Sequence, residues 1–244
     1  MCRVGVYLIL MFALANLPQA RLVLSLPSIA GEDKPQAKKG VAEKAGPGRS
    51  EGPTPKDAQA WYNKGNALNS LGRYEEAITC FDKALEIDPK FALAWNDKGE
   101  ALHLLKKYEE EIVCYDKALE IDPKVAYSWY FKSEALVLLK KYEEAIACYD
   151  KALEIDPKDI LTWNKKGGAL RQLGKYEEAI VCYDKALEID PKDIDVWNNK
   201  GGALRQLGKY EEAIACYDKA LEIDPEDDEA WGGKMLTIVS PLKK

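Results

Sequence analysis

The chain has 244 residues, of which 47% are apolar and 31% charged, and a formal net charge of −6 at pH 7. That acidic balance argues against a nucleic-acid binder, which needs a basic face to displace counterions, and against attraction to an anionic membrane surface. His103 is the one histidine, so a Ser-His-Asp triad, a Cys-His pair or a histidine metal site would have to pass through that position; the composition points away from an enzyme and predicts neither cofactor nor metal.

Residues 1–30 have their own character. Arg3 precedes a 14-residue apolar run, Val4 to Leu17, broken only by Asn16. Pro18 follows, and Ser28-Ile29-Ala30 fits a small-x-small cleavage pattern. This reads as a secretory signal peptide or an N-terminal anchor, since a spanning helix needs roughly 20 apolar residues. The expected location is across the cytoplasmic membrane, secreted or membrane-tethered; N-terminal sequencing of the exported protein tests it, and Met1 retained would rule out cleavage. Residues 31–55 are dense in Gly, Pro and alternating charge without an aromatic, the composition of a disordered linker.

From residue 56 a period governs the chain. Trp recurs at 61, 95, 129, 163, 197 and 231, and Pro at 89, 123, 157, 191 and 225, every 34 residues. Five units result, 56–89, 90–123, 124–157, 158–191 and 192–225, with a capping helix expected in 226–244. In the fourth unit Trp163, Gly167 and Leu170 form one helical stripe, and Tyr176, Ala179, Ile180, Tyr183, Ala186 and Leu187 a second. Gly167 implies close approach of a neighbouring helix. Asp57, Asp159, Asp193 and Asp227 suit the N-caps of the first helix of a unit, Gly174 and Gly208 the left-handed position that ends it, and Glu177-Glu178 the first turn of the second.

These positions resemble tetratricopeptide repeats: Trp61, Gly65, Leu68, Ala77, Phe81, Ala84 and Pro89 in the first unit, and Trp163, Gly167, Leu170, Ala179, Tyr183, Ala186 and Pro191 in the fourth. The resemblance covers residues 56–244. It implies an all-α fold, a right-handed α-solenoid of tandem helix–turn–helix repeats, and a non-enzymatic scaffold binding a protein or peptide.

The second and third units depart from the pattern. Lys106 and Lys140 replace the turn glycine, Phe91 and Val125 the capping Asp, Ser133 the close-contact glycine, and Glu111 the small alanine. Glu111 is expected to be strained and partly buried, or to push its helix outward, as drift in a tolerant repeat. Lys64, Lys98, Lys132, Lys166 and Lys200 stand where the family usually has an apolar residue, their stems expected along the core edge. The fourth and fifth units differ only at Leu161/Asp195, Thr162/Val196, Lys165/Asn199 and Val181/Ala215, which points to a constant scaffold with variable surface chemistry.

On the first helix, residues two before and one, five and eight after the Trp share the face opposite the Trp stripe, an arc of about 80° at about 100° per residue. By resemblance this face lines the concave groove. The candidate partner-binding residues are Tyr62, Asn66, Asn96, Glu100, His103, Tyr127, Tyr130, Glu134, Asn164, Arg171, Asn198 and Arg205. Asn66, Asn96, Asn164 and Asn198 can serve an extended peptide backbone, Tyr127 and Tyr130 form an aromatic middle, and Arg171 and Arg205 suit carboxylates. The Lys-and-Asn clamp by which some members hold a C-terminal carboxylate is not reproduced at Tyr62, Asn66 and Asp97, at Asn96, Glu100 and Phe131, or at Tyr130, Glu134 and Lys165. Cys80, Cys114, Cys148, Cys182 and Cys216 share the 34-residue period and are expected to be free thiols, because equivalent positions in stacked repeats lie beyond disulfide reach. Two other functions stay open: by the resemblance, a substrate-docking subunit of an enzyme complex, and from the C-terminal helix a self-assembling structural protein, with a possible homo-oligomer through Met235, Leu236, Ile238 and Val239.

Overall fold

The stripes, caps and turns are realised as eleven α-helices within residues 57–239, the residues described by the computed structural model, with no strand among them. The signal segment expected at 1–30, the linker expected at 31–55 and residues 240–244 of the expected capping segment lie outside the described residues. The helices are α1 (Ala58–Ser70), α2 (Tyr74–Ile87), α3 (Ala92–Leu104), α4 (Tyr108–Ile121), α5 (Ala126–Leu138), α6 (Tyr142–Ile155), α7 (Ile160–Gln172), α8 (Tyr176–Ile189), α9 (Ile194–Gln206), α10 (Tyr210–Ile223) and α11 (Asp228–Val239). Odd-numbered helices begin with the Trp stripe and even-numbered ones carry the alanine stripe. Each packs on the next in the chain, and α1 also touches α3, α7 touches α9 and α9 touches α11. Nearest-neighbour stacking of this kind is an α-solenoid.

The helix starts follow the capping residues. Asp57 accepts the amide of Ala60 at 2.7 Å, Asp193 that of Val196 at 2.9 Å and Asp227 that of Ala230 at 2.6 Å, while Asp159 accepts that of Leu161 at 3.2 Å. Each such cap is worth about 1 kcal/mol. Phe91 and Val125 make no side-chain cap, so α3 and α5 lack it. The turn after each odd helix needs a left-handed residue: Gly72, Gly174 and Gly208 have φ of 73–75°. Lys106 and Lys140 are held there too, at 59° and 60°, at a cost of about 1–2 kcal/mol each. The second and third units are therefore weaker in local energy as well as in pattern.

The Trp and Pro share a period because they touch. Pro keeps the preceding Asp out of the helical region, and that Asp accepts the amide two residues on, as in Asp88 with Lys90 at 3.0 Å. The indole of Trp95, Trp129, Trp163, Trp197 and Trp231 then donates to the carbonyl of the preceding Pro at 2.9–3.0 Å. Inside, Phe81, Tyr115, Tyr149 and Tyr183 are fully buried beside Ala77, Ala145, Ala179 and Ala213. Burying each such ring contributes roughly 1.5–3 kcal/mol against the ordering entropy of the chain.

The lysines three after the Trp do more than edge the core. Lys98, Lys132, Lys166, Lys200 and Lys234 reach Asp82, Asp116, Asp150, Asp184 and Asp218 on the preceding even helix at 2.5–2.6 Å. Each ammonium also lies 5.4–5.7 Å from the ring centroid of the Trp on its own helix. A pair of this kind contributes up to about 1 kcal/mol, and its repetition ties every unit to its predecessor in one register. The five periodic cysteines are buried and free. Burial pushes the Cys182 and Cys216 thiols up to about 11 and Cys114 up to about 12, so they pack as small apolar side chains.

Candidate functional site

The odd helices supply the inner face. They carry the candidate residues one, five and eight after the Trp, and the residue two after the Trp joins them in the contacts between units, as Phe131 with Tyr127, Lys165 with Glu134 and Asn199 with Asn164. In the first two units these side chains satisfy one another. Tyr62 packs on Phe91, ring centroids 4.8 Å apart. Burial raises the pKa of Asp97 on α3 against the opposing influence of the Tyr62 and Asn66 side chains, and burial together with Asp97 raises that of Glu100.

Two of the expected peptide-facing amides are used elsewhere. Asn96 is buried and accepts from the Ser128 hydroxyl at 2.8 Å; Asn198 is buried and donates to Asp227 at 2.8 Å. Consecutive odd helices close over the position after the Trp, so these amides join helix to helix instead of facing a ligand. Asn164 remains half-buried and accepts from Asn199 at 3.0 Å.

His103 and Glu111 form a pair that the sequence did not reveal, because they lie on different helices. The His103 Nδ1 is 3.1 Å from both carboxyl oxygens. Glu111 is not partly but completely buried, at 0% exposure, and desolvation pushes its pKa up to about 8.

The aromatic middle is larger than expected. Phe131, two after its Trp, lies 4.3 Å from Tyr127 and 5.0 Å edge-on from Tyr130 between centroids, and Tyr130 is 6.2 Å from Tyr149. Tyr127 remains 43% exposed at the surface of this cluster. Burial pushes Tyr127 up to about 12 and raises Tyr130 and Tyr149 as well, so all three remain neutral phenols. Glu134 is satisfied from both sides, accepting from the Tyr149 hydroxyl and pairing with Lys165 at 3.0 Å.

Over α5, α7, α9 and α11 the face opens into a cleft of about 570 Å³. It brings together three of the expected residues, Glu134, Asn164 and Arg171, with Lys165, Asn199, Leu161 and Asp195 on its walls and Gly168 in its floor. A Cβ at Gly168 would meet nothing within 4 Å. Arg205 joins Arg171 in an adjoining pocket of about 370 Å³. The differences between the fourth and fifth units divide accordingly. Leu161/Asp195 and Lys165/Asn199 alter the cleft wall, whereas Thr162 and Val196 are buried, so the variation is not confined to the surface.

Two family models match the chain. One, described as Tetratricopeptide repeat, matches residues 58–91, 92–125 and 194–227; the other, described as TPR repeat, matches 134–170 and 167–204. Among solved structures, YrrB, described as a TPR protein with an unusual peptide-binding site, is 28% identical with a TM-score of 0.67, over 74% of this chain and 93% of its own. MamA from Desulfovibrio magneticus RS-1 is 21% identical with a TM-score of 0.67, over 72% of this chain and 99% of its own. A tetratricopeptide repeat protein from Parabacteroides merdae ATCC 43184 is 18% identical with a TM-score of 0.70, over 76% of this chain and 74% of its own. The last two are likenesses of fold alone. No curated protein sequence matches the chain.

Proposed function

Because the chain belongs to the tetratricopeptide-repeat family, we propose that it is a non-enzymatic scaffold holding an extended peptide or a helix of a partner protein along its inner face, chiefly in the cleft over α5 to α11. The cleft itself carries this reading. Its floor is open at Gly168, and its walls offer an apolar side chain (Leu161), amides (Asn164, Asn199) and a cation (Arg171) along one continuous surface. A concave site with apolar lining and a few placed polar groups is the usual form of a binding site. The peptide-binding site ascribed to YrrB, the 28% identical neighbour, supports the same reading.

Leucine at Gly168 tests it. The Cβ of the new side chain meets nothing within 4 Å and the substitution raises helix propensity by roughly 0.7–1 kcal/mol, so the helix should be retained while the added bulk enters the cleft. Peptides selected on the wild-type protein from a random dodecamer library should bind Gly168→Leu at least about tenfold more weakly. Selected peptides that bind both proteins equally would show that the cleft is not the site.

A further inference from the structure

The cations of α7 and α9 fall into two groups. Lys165 is paired with Glu134 at 3.0 Å, Lys166 with Asp150 at 2.5 Å and Lys200 with Asp184 at 2.6 Å. Arg171 and Arg205 have no carboxylate within ion-pair distance among the described residues, in a chain whose net charge is −6. The Arg205 Nε is buried with no hydrogen-bond partner, and an orphaned buried donor calls for an acceptor.

The two guanidinium groups are also brought together. Arg171 reaches from α7 across to α9, where one of its terminal nitrogens lies 3.1 Å from the point a Cβ of Gly202 would occupy. Gly202 stands one helical turn before Arg205, so the absent side chain lets the Arg171 head sit beside Arg205 on the same face of α9. Both line the pocket of about 370 Å³, with the neutral Gln172 and Gln206 and the phenol Tyr176 around them. Two guanidinium forks with no carboxylate in ion-pair contact among the described residues, though Glu134 and Asp195 share the neighbouring cleft with Arg171, match a carboxylate, which takes parallel N–H bonds from each.

From this geometry we propose that Arg171 and Arg205 form a carboxylate-binding subsite that makes the groove selective for acidic peptides. The occupant is a partner segment with an Asp or Glu side chain over Gly202 and aliphatic or aromatic residues toward Leu161 and Tyr127, which are 50% and 43% exposed. This deepens the groove reading and rests on it. It adds that the ligand is sorted by charge at one end, by side chains that the fold itself does not use in any ion pair.

The test uses the full chain and a random dodecamer peptide library, selected in parallel on wild type and on Arg171→Gln/Arg205→Gln. Both arginines lie on the half-buried inner face, and an unchanged melting curve establishes that the variant is folded. Wild-type selection should enrich Asp and Glu, and individual acidic peptides should bind about tenfold more tightly than their Asn/Gln counterparts. That preference should vanish on the double variant, persist in part on Arg171→Lys/Arg205→Lys and weaken with salt, while enrichment of aliphatic and aromatic residues stays. Peptides whose binding falls with Gly168→Leu but which show no acidic preference would overturn the carboxylate subsite and leave the groove reading standing. An acidic preference that survives the double Gln variant would overturn it as well. Failure to select any peptide sensitive to Gly168→Leu would remove both.

Discussion

Alanine at Gly167 is expected to destabilise the protein by about 1–3 kcal/mol, and alanine at its neighbour Gly168 to stabilise it by about 0.5–1 kcal/mol. The residues are adjacent in α7, so helix propensity favours alanine equally at both, and only packing separates them. A Cβ at Gly167 would lie 2.5 Å from Cε1 and 2.8 Å from Cζ of Tyr183. That ring is fully buried and cannot move away without opening the α7–α8 contact. A Cβ at Gly168 projects into the cleft and meets nothing within 4 Å. Ser133, the equivalent of Gly167 in the third unit, shows how a Cβ is admitted: it is buried beside Tyr149 and its hydroxyl donates to the Trp129 carbonyl at 2.7 Å. Accommodation is thus available to the fold, which limits the expected loss to a few kcal/mol. Urea denaturation of the two variants measures the difference, and shifts of the same sign would refute this packing of α7 on α8.

The second large effect concerns Glu111. Its carboxyl is fully buried, and desolvation raises its pKa from 4.5 to about 8 in the folded protein. The folded state therefore binds this proton more tightly than the unfolded chain. The contribution of Glu111 to stability is complete below its unfolded pKa of about 4.5 and is lost as pH rises through about 8. His103, within 3.1 Å of both carboxyl oxygens, moderates the loss, and the ionisable Cys114, Tyr115 and Tyr127 lie near enough to sense the charge. Raising the pH from 5 to 8 should destabilise wild type relative to Glu111→Ala by on the order of 3 kcal/mol. At pH 8 the variant should be the more stable protein, since Ala77, Ala145, Ala179 and Ala213 fill this position at 0% exposure in the other units. Asp97 and Glu100 are also raised by burial, but they are common to both proteins and cancel in the comparison. Hydrogen exchange of the α3 and α4 amides at the two pH values localises the effect. A variant that is less stable at pH 8, or that retains the wild-type pH dependence, would contradict the desolvation of this carboxyl.

Much of the candidate groove was legible because the period makes each side chain's direction predictable. Arg171, Asn164 and Glu134 lie where the spacing from Trp puts them, in one cleft. The contacts between units were not legible. Asn96 and Asn198 share a register with Asn164 yet are buried, because Ser128 on the next odd helix and Asp227, which caps α11, face them. The row two after the Trp entered the sequence reading only as positions of the absent clamp; that Phe131 packs on Tyr127, Lys165 pairs with Glu134 and Asn199 donates to Asn164 became visible only when consecutive odd helices were set side by side.

By itself the sequence determined the helices and their repetition. Their caps, turn glycines, stripes and 34-residue period are local signals, read from residues a few positions apart, and each unit restates them. The tertiary structure alone decided which polar side chains are consumed and which remain available. Among the described residues Lys165 is in an ion pair and Arg171 is not, and Glu111 meets the only histidine across two helices. Such outcomes depend on the approach of side chains that belong to different helices, and the periodicity of one helix carries no record of which residue its neighbour brings to the contact.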